Sequence, residues 1–416
     1  MDKGLSKLTV SGYKSLGDPI TINIKPLTIL SGANSSGKSS IMQPLLLLKQ
    51  TLESSFNPGT LVLDGSHLHF TNSNQIFTSG KNNVLNLEMV IEDEIWAFEF
   101  IKGNSKDPLK LNSMKYKSKE NEIFLSREMY NSDVLTQLKI SNEFSDLNVI
   151  PDVKVKWSND LFFMYPKFLD QISRKSYFSR SKLTNYLSSI IHLAALRFTG
   201  KREYPKTRIE NRIVGSFDHY IASILSDMKE FKLTNIILDM NHLNLTSDII
   251  TRRKANGQIS VHVSRQKNGI PQNDLEKGKH VNIVDVGVGI LQVLPIVVAL
   301  RYAKQGQLVI IEQPEVHLHP KAQRLFCDLL IESAKRGVKV VLETHSQIIL
   351  RGIQILVANK EISTNDVNLI WFSLNNNGLT VADEGQLNTD GAYLNWPTDF
   401  DDVILGIEGE YLKAGR

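Results

Sequence analysis

Residues Leu27 to Ser39 read Leu-Thr-Ile-Leu-Ser-Gly-Ala-Asn-Ser-Ser-Gly-Lys-Ser, and this stretch decides the fold. The apolar run Leu27 to Leu30 predicts a buried strand. Gly32 to Ser39 completes the P-loop pattern Gly-x-x-x-x-Gly-Lys-Ser, and a helix is expected from about Ser39. In such a strand–loop–helix unit, backbone N–H groups of the loop wrap phosphates and the helix points its positive dipole end at the same anion. Gly32 and Gly37 let the chain turn close to the phosphates, with Asn34, Ser35, Ser36 and Ser40 around them. Lys38 would neutralise β- and γ-phosphate charge, and the Ser39 hydroxyl would ligate Mg²⁺. A glycine- and serine-rich loop matching by chance would lack the strand before it and the helix after it. The chain is therefore expected to bind a nucleoside triphosphate, read as ATP with Mg²⁺.

Composition narrows the class. The 416 residues allow two or three domains, or one large elaborated one. A hydrophobic content of 41% and a charged content of 22% are ordinary for a soluble globular protein. A net charge of +4 permits a local basic groove without demanding nucleic acid. The single cysteine, Cys327, lies among Leu325, Phe326, Leu329 and Leu330, which predicts a small core residue in place of a nucleophile. The longest apolar stretch, Ile290 to Leu300, is too short for a bilayer and contains Gln292 and Pro295. With no apolar segment behind Met1 to Gly4, a cytoplasmic protein is expected.

Periodicity then orders the chain. Residues 5–30 alternate as strands, and a helix over 39–52 carries Ile41, Leu45, Leu48 and Leu52 on one face, with Pro44 near its first turns. Residues 58–100 read as strands, the lysine-rich 101–130 as hairpins or loops, and 187–197 as a buried strand before a basic loop. Residues 213–245 read as helical, and strands flank Ala255-Asn256-Gly257. Beyond 285 the spacing predicts helix 289–304, strand 307–312, helix 320–335, strand 338–343, helix 346–358 and strand 367–373. That alternation is the mark of a parallel α/β sheet with crossover helices. The expected organisation is an N-terminal lobe over 1–100, an inserted α+β middle region over 101–280, a C-terminal lobe over 281–375 and a final segment over 376–416.

The strand Leu308 to Glu312 ends in a carboxylate, as a Walker B element does when it presents an acid to Mg²⁺. It continues Gln313-Pro314-Glu315-Val316-His317-Leu318-His319-Pro320, and the next strand leads to Glu343-Thr344-His345-Ser346. At these residues the chain resembles the ABC-type ATPases, in the soluble branch that includes OLD, Septu and Rad50/SMC-type proteins. The resemblance implies an ABC-type P-loop head and assigns Glu312 to the metal, with Gln313 and Glu315 at the attacking water. His345 would contact the γ-phosphate. A strand–helix–strand unit separates Glu312 from His345, so both can sit at neighbouring strand ends. Upstream, Asp285-Val286-Gly287-Val288-Gly289 stands where the family's signature turn belongs. There Gly287 and Gly289 would offer helix N–H groups to a γ-phosphate held by a second copy, which implies a head-to-tail homodimer. Tyr13-Lys14-Ser15, Ala195-Leu196-Arg197 and Asn395-Trp396-Pro397 extend the likeness, whereas residues 101–185 lie outside it.

Two departures bear on rate. Gln313 stands where these enzymes usually place the glutamate that polarises water; an amide orients water but takes no proton at neutral pH. Leu291 stands where relatives often carry serine. A further glutamine is expected near the nucleotide, with Gln75 the candidate and Gln50 the alternative. Basic clusters at Arg174-Lys175, Arg180 to Lys182, Lys201 to Arg208 and Arg252-Arg253-Lys254 would suit nucleic acid if they converge, and solvated loops if they do not.

The resemblance thus implies a slow ATPase that controls a separate effector, such as a nuclease encoded nearby, in defence against phage. The 71 residues after His345 are few for an appended metal-nuclease domain, so a nuclease in the same chain is not expected. The competing readings are an ATP-dependent assembly scaffold and a DNA-repair clamp holding DNA on the middle region.

Overall fold

A computed structural model describes residues 3–54, 59–80, 83–103, 109–139, 154, 157–160, 163–166, 180–195, 200–208, 212–264, 280–395 and 410–414. The chain begins with β1 (Leu5–Ser11), β2 (Ile20–Asn23) and β3 (Leu27–Gly32), and the P-loop leads into α1 (Lys38–Leu52). Next come β4 (Val84–Ile91), β5 (Glu94–Lys102), β6 (Leu109–Lys117) and β7 (Glu122–Ser126). The middle holds α2 (Asn131–Lys139), β8 (Trp157–Asp160), β9 (Phe163–Pro166), α3 (Arg180–Ser189), β10 (Ile191–Leu193) and β11 (Tyr204–Pro205). After them follow α4 (Ile221–Asp227), α5 (Glu230–His242), β12 (Ile249–Arg253), β13 (Gln258–Ser264) and β14 (His280–Asn282). The last part alternates: α6 (Val288–Tyr302), β15 (Leu308–Glu312), α7 (Pro320–Lys335), β16 (Lys339–Glu343), α8 (Gln347–Ala358), β17 (Val367–Leu374) and β18 (Thr380–Gly385).

The central sheet has the order β10-β15-β16-β3-β17-β18, parallel except for its last strand. Strands buried on both faces favour apolar runs, and β15 has one over Leu308 to Ile311 and β16 one over Val340 to Leu342. Their side chains alternate between two cores. Val309, Ile311, Val340 and Leu342 face α4 to α8, while Leu308, Ile310 and Val341 face α1 and a second, antiparallel sheet. Helix α6 is apolar on all sides and lies buried in the first of these cores. The second sheet runs β2-β1-β4-β5-β6-β7, and its apolar face packs on α1 through Trp96, Phe98 and Phe100. The α/β head with a parallel sheet and crossover helices is the one expected from the sequence, and the elements from α6 to β17 fall within two residues of their predicted bounds, whereas β18 was not expected.

Three segments differ from expectation. The antiparallel sheet crosses the lobe boundary expected at residue 100 and continues through the β6–β7 hairpin to Ser126, because Lys110, Lys115 and Lys117 of β6 and Glu122 of β7 stay off the buried face and leave Leu111, Met114, Tyr116, Ile123 and Leu125 for the core. Residues 59–80 form no strand; they fold as turns around a short 3₁₀ segment, Ser73–Gln75. Residues 187–197 are not one strand: α3 runs to Ser189, since Leu183 and Leu187 recur at helical spacing, and only Ile191–Leu193 pair with β15. Cys327 is a core residue, its thiol pushed up to about 12 by burial.

Candidate nucleotide site

The P-loop sits at the C-terminal end of β3. Gly32 adopts φ 135° and Gly37 φ 99°, conformations that side chains resist, and Ser35 joins them at φ 59°. A Cβ on Gly37 would come within 2.4 Å of the Thr380 hydroxyl, so the loop is packed from behind as tightly as its backbone allows. Thr380 bonds Ser15 (2.8 Å) and the Ser36 carbonyl (2.9 Å), and the Ser36 hydroxyl donates to Ala33 O at 2.8 Å. The buried Lys38 ammonium donates to the carbonyls of Gly32 (3.1 Å) and Ala33 (2.5 Å).

In front of the loop lies a cavity of about 550 Å³. Of the predicted residues, Asn34, Ser35, Gly37, Lys38, Ser39, Ser40, Gln313 and His345 line it. Lys14, Gln43 and Glu343 line it as well, though sequence reasoning did not assign them to the site. Gln43 accepts from Lys14 Nζ at 2.7 Å and from the Tyr13 hydroxyl at 3.0 Å. It lies one helical turn beyond Ser39 on the same face of α1, and that spacing was the available signal. A larger cleft of about 980 Å³, flanked by Arg208, Arg212 and Lys304, contains none of the predicted nucleotide-site residues, though Arg208 belongs to one of the basic clusters. The P-loop chemistry selects the smaller one.

The carboxylates are arranged differently from the expectation. Strand β16 lies between β15 and β3, so Glu343 is opposite both Glu312 and Leu30 in register. It is Glu343 that meets the P-loop: its Oε1 accepts from the Ser39 hydroxyl at 2.9 Å. Glu312 turns toward β10 instead, with Oε1 3.1 Å from His192 Nε2 and Oε2 accepting from Ala195 N at 3.2 Å. Glu315 is outside the cavity; its Oε1 accepts from the backbone N–H of His345 at 2.7 Å, which makes it a brace for the histidine turn. Gln313 adopts φ 43°, a strained conformation for a residue with a side chain, and its N–H donates to Glu343 O at 2.8 Å. Ser346 caps α8 and donates to Gln323 on α7, tying the two strand-end loops together.

Burial dominates the electrostatics. It lowers the Lys38 pKa, against the opposing charge of Glu343. It raises that of Glu343, helped by the negative charges of Glu312 and Glu315 and opposed by the Ser39 bond and Lys38. It lowers that of His345, as does Lys38, favouring the neutral ring.

The other predicted residues lie elsewhere. Gln75 is exposed and accepts from Thr71 N at 2.8 Å, while Gln50 is buried between Val62 O and Leu68 N; neither lines the cavity. Local turn chemistry at Asn72 fixes the first, and packing under α1 the second. Gly287 and Gly289 open α6, with Gly289 against His317 O, and they do not border this cavity. Arg253 pairs with Asp227 and Lys254 with Glu203, at the edge strand β12 that also carries Arg252, so neighbouring acids answer two of these three charges. Arg174, Lys175, Leu196, Arg197, Trp396 and Pro397 fall outside the described residues.

The residues present suit ATP and Mg²⁺. The loop forms a cradle that admits no Cβ at Gly37, a buried ammonium stands beside it, and a serine hydroxyl with two strand-end carboxylates supplies the hard oxygen donors that Mg²⁺ takes. Among the described residues no helix is long and apolar enough to cross a membrane.

No curated protein matches the chain. Among solved structures, an SMC head bound to the C-terminal winged-helix domain of ScpA aligns over 92% of this chain and 98% of its own, at 13% identity and a TM-score of 0.43. The SMC head domain from Thermotoga maritima aligns over 91% and 98%, at 12% identity and a TM-score of 0.37. An SMC head with an extended coiled coil, bound to the C-terminal domain of ScpA and derived from Pyrococcus furiosus, aligns over 98% and 99%, at 12% identity and a TM-score of 0.39. The family profile of the AAA ATPase domain matches residues 4–350, most of the chain, and this protein belongs to that family.

Proposed function

We propose that this chain binds and slowly hydrolyses ATP as an ABC-type switch, and that two copies close head to tail around the nucleotide. The carrying observation is the cavity that gathers Lys38, Ser39, Glu343, Gln313 and His345 around the P-loop. Lys38 and the loop N–H groups hold the β- and γ-phosphates, and Ser39 with Glu343 and Glu312 would hold Mg²⁺, which offsets phosphate charge. Gln313 orients the attacking water, and the neutral His345 ring donates to the γ-phosphate. The turn at Gly287 and Gly289 opens an exposed helix N-terminus, which suits a phosphate carried by a second copy. The nucleotide state then controls a separate effector, for which the resemblance favours a nuclease, in the cytoplasm and in defence against phage.

Gln313 also favours a second reading, in which ATP is retained and acts as an assembly ligand with little turnover. Phosphate release and light-scattering mass with and without ATP·Mg²⁺ separate the two. Release that falls to background in Lys38→Ala supports the ATPase. ATP-dependent dimers without release support the scaffold. Absence of nucleotide binding in the native protein removes both. The DNA-clamp alternative has less support, because Arg253 and Lys254 are already engaged by acids of the same chain. Salt-sensitive DNA binding lost on neutralising Arg252 and Arg253 would restore it.

A further inference from the structure

The nucleotide reading leaves a line of buried polar groups behind Glu312 without a role. His192 Nε2 lies 3.1 Å from Glu312, and its Nδ1 lies 3.3 Å from Nδ1 of His67. His67 Nε2 reaches both oxygens of Glu53, at 3.2 and 3.1 Å. Glu53 pairs with Lys49 at 2.8 Å, and Lys49 donates to Ile213 O at 2.7 Å. The side chains of Lys49, Glu53, His67 and His192 are all at least nine-tenths buried.

Such a line gives little net stability, since apolar side chains of similar volume commonly serve a fold as well or better. Its geometry suggests a different use. His192 and the N–H of Ala195 hold the two oxygens of Glu312, one each, and so fix the carboxylate's plane. The His192 ring cannot turn, because its second nitrogen is held by His67, which Glu53 holds in turn. Glu53 caps the last turn of α1, the helix that begins at the P-loop lysine. One rigid helix thus carries Lys38 at its start and anchors the brace of Glu312 at its end.

Resting on the ATP–Mg²⁺ reading above, we propose that His192 is a positioning residue for Glu312, braced by His67 and Glu53 against the far end of the P-loop helix. Partners one step removed from a metal-binding carboxylate set its aim, and their loss typically weakens metal affinity by about 10–100-fold. The test follows binding of a fluorescent N-methylanthraniloyl-ATP, first in EDTA and then across a MgCl₂ titration. His192→Phe keeps the ring's bulk and is expected to raise the Mg²⁺ half-saturation about tenfold while leaving the affinity in EDTA unchanged. His67→Phe should move it in the same direction by less, and His192→Gln, which keeps an N–H near the Nε2 position, should recover most of the loss. A circular-dichroism melt checks that each variant folds. A His192→Phe protein that misfolds shifts the decision to the His67→Phe and His192→Gln pair, for which wild-type Mg²⁺ dependence overturns the proposal. Equal loss of affinity with and without Mg²⁺ also overturns it, since that is general damage to the site. If Lys38→Ala binds the nucleotide as the native protein does, the ATP reading fails and this inference fails with it. Intact Lys38 dependence with no effect at His192 sinks the positioning role alone.

Discussion

The Thr380 hydroxyl is the sharpest place to test how the P-loop is held. It donates to the buried carbonyl of Ser36, and that carbonyl belongs to the same peptide plane as the Gly37 N–H. In a trans peptide the two groups point in opposite directions, so a carbonyl held back toward β18 sends the Gly37 N–H toward the cavity. Thr380→Val keeps the side-chain shape and removes the bond. The Ser36 carbonyl is then buried without a donor, a loss of about 1–3 kcal/mol. At 1.4 kcal/mol per factor of ten, that caps the loss of ATP affinity on the order of 100-fold, with about 30-fold expected at the middle of the range. Thr380→Ser keeps the hydroxyl and should bind within about twofold of the native protein. Ser15→Ala should also cost less than Thr380→Val, because Thr380 retains its bond to Ser36. Calorimetric titration with ATP·Mg²⁺ and urea unfolding measure the two consequences separately. A Thr380→Val protein that loses stability yet binds ATP with native affinity would refute the argument that this bond orients the cradle.

Two further outcomes follow from the packing and the charges. Glu343 has its pKa raised by burial and by its acidic neighbours, so the folded state takes up a proton before the unfolded chain does. The ionised carboxylate therefore costs stability at neutral pH, and the cost fades as pH falls through the raised value; urea midpoints should show Glu343→Gln more stable than native at pH 7 and no better at pH 4, and weaker in Mg²⁺-dependent nucleotide binding. A Cβ at Gly352 would stand 2.6 Å from Cys327 Sγ, where α8 crosses α7. Gly352→Ala should destabilise by about 1–3 kcal/mol through overpacking, and Cys327→Ala in the same protein should recover part of that loss, measured as a double-mutant cycle by urea unfolding.

The parts of the fold that sequence discloses are those in which one local period meets one environment. Helix α7 alternates its apolar residues every three or four positions, with His319 capping its start, and its predicted bounds match. Strands β15 and β16 are apolar between their charged ends because both faces are covered. The region around Leu187 misleads because a helix end and a short strand share one apolar run, and composition cannot separate them. Within the site, P-loop residues are legible because consecutive backbone groups do the work. Thr380 and Glu343 are not, since each reaches the loop from hundreds of residues away. Their role depends on strand order, which no local pattern contains. His67 and His192 are hidden for the same reason, as two histidines far apart in sequence that meet only after β10 pairs with β15.

The same strand order gives a physical reason for the unusual Gln313. Placing β16 between β15 and the P-loop strand sets Glu312 and Glu343 side by side at neighbouring strand ends. Two carboxylates so close cannot both remain charged at low cost unless each has its own partners. The structure divides the partners between them, Ser39 and Lys38 for Glu343, His192 and the Ala195 N–H for Glu312. Glu315 adds a third negative charge, directed to the His345 backbone. A glutamate at position 313 would bring a fourth carboxylate to a cavity whose lining lysines, Lys14 and Lys38, both have their pKa lowered by burial. It would also do so from a residue in a strained conformation, where the side chain has little freedom to turn away. An amide can hold a water there without adding to this repulsion. The departure at 313 and the appearance of Glu343 at Ser39 are therefore two sides of one charge balance. In that balance the carboxylate nearest the P-loop comes from the strand beside it.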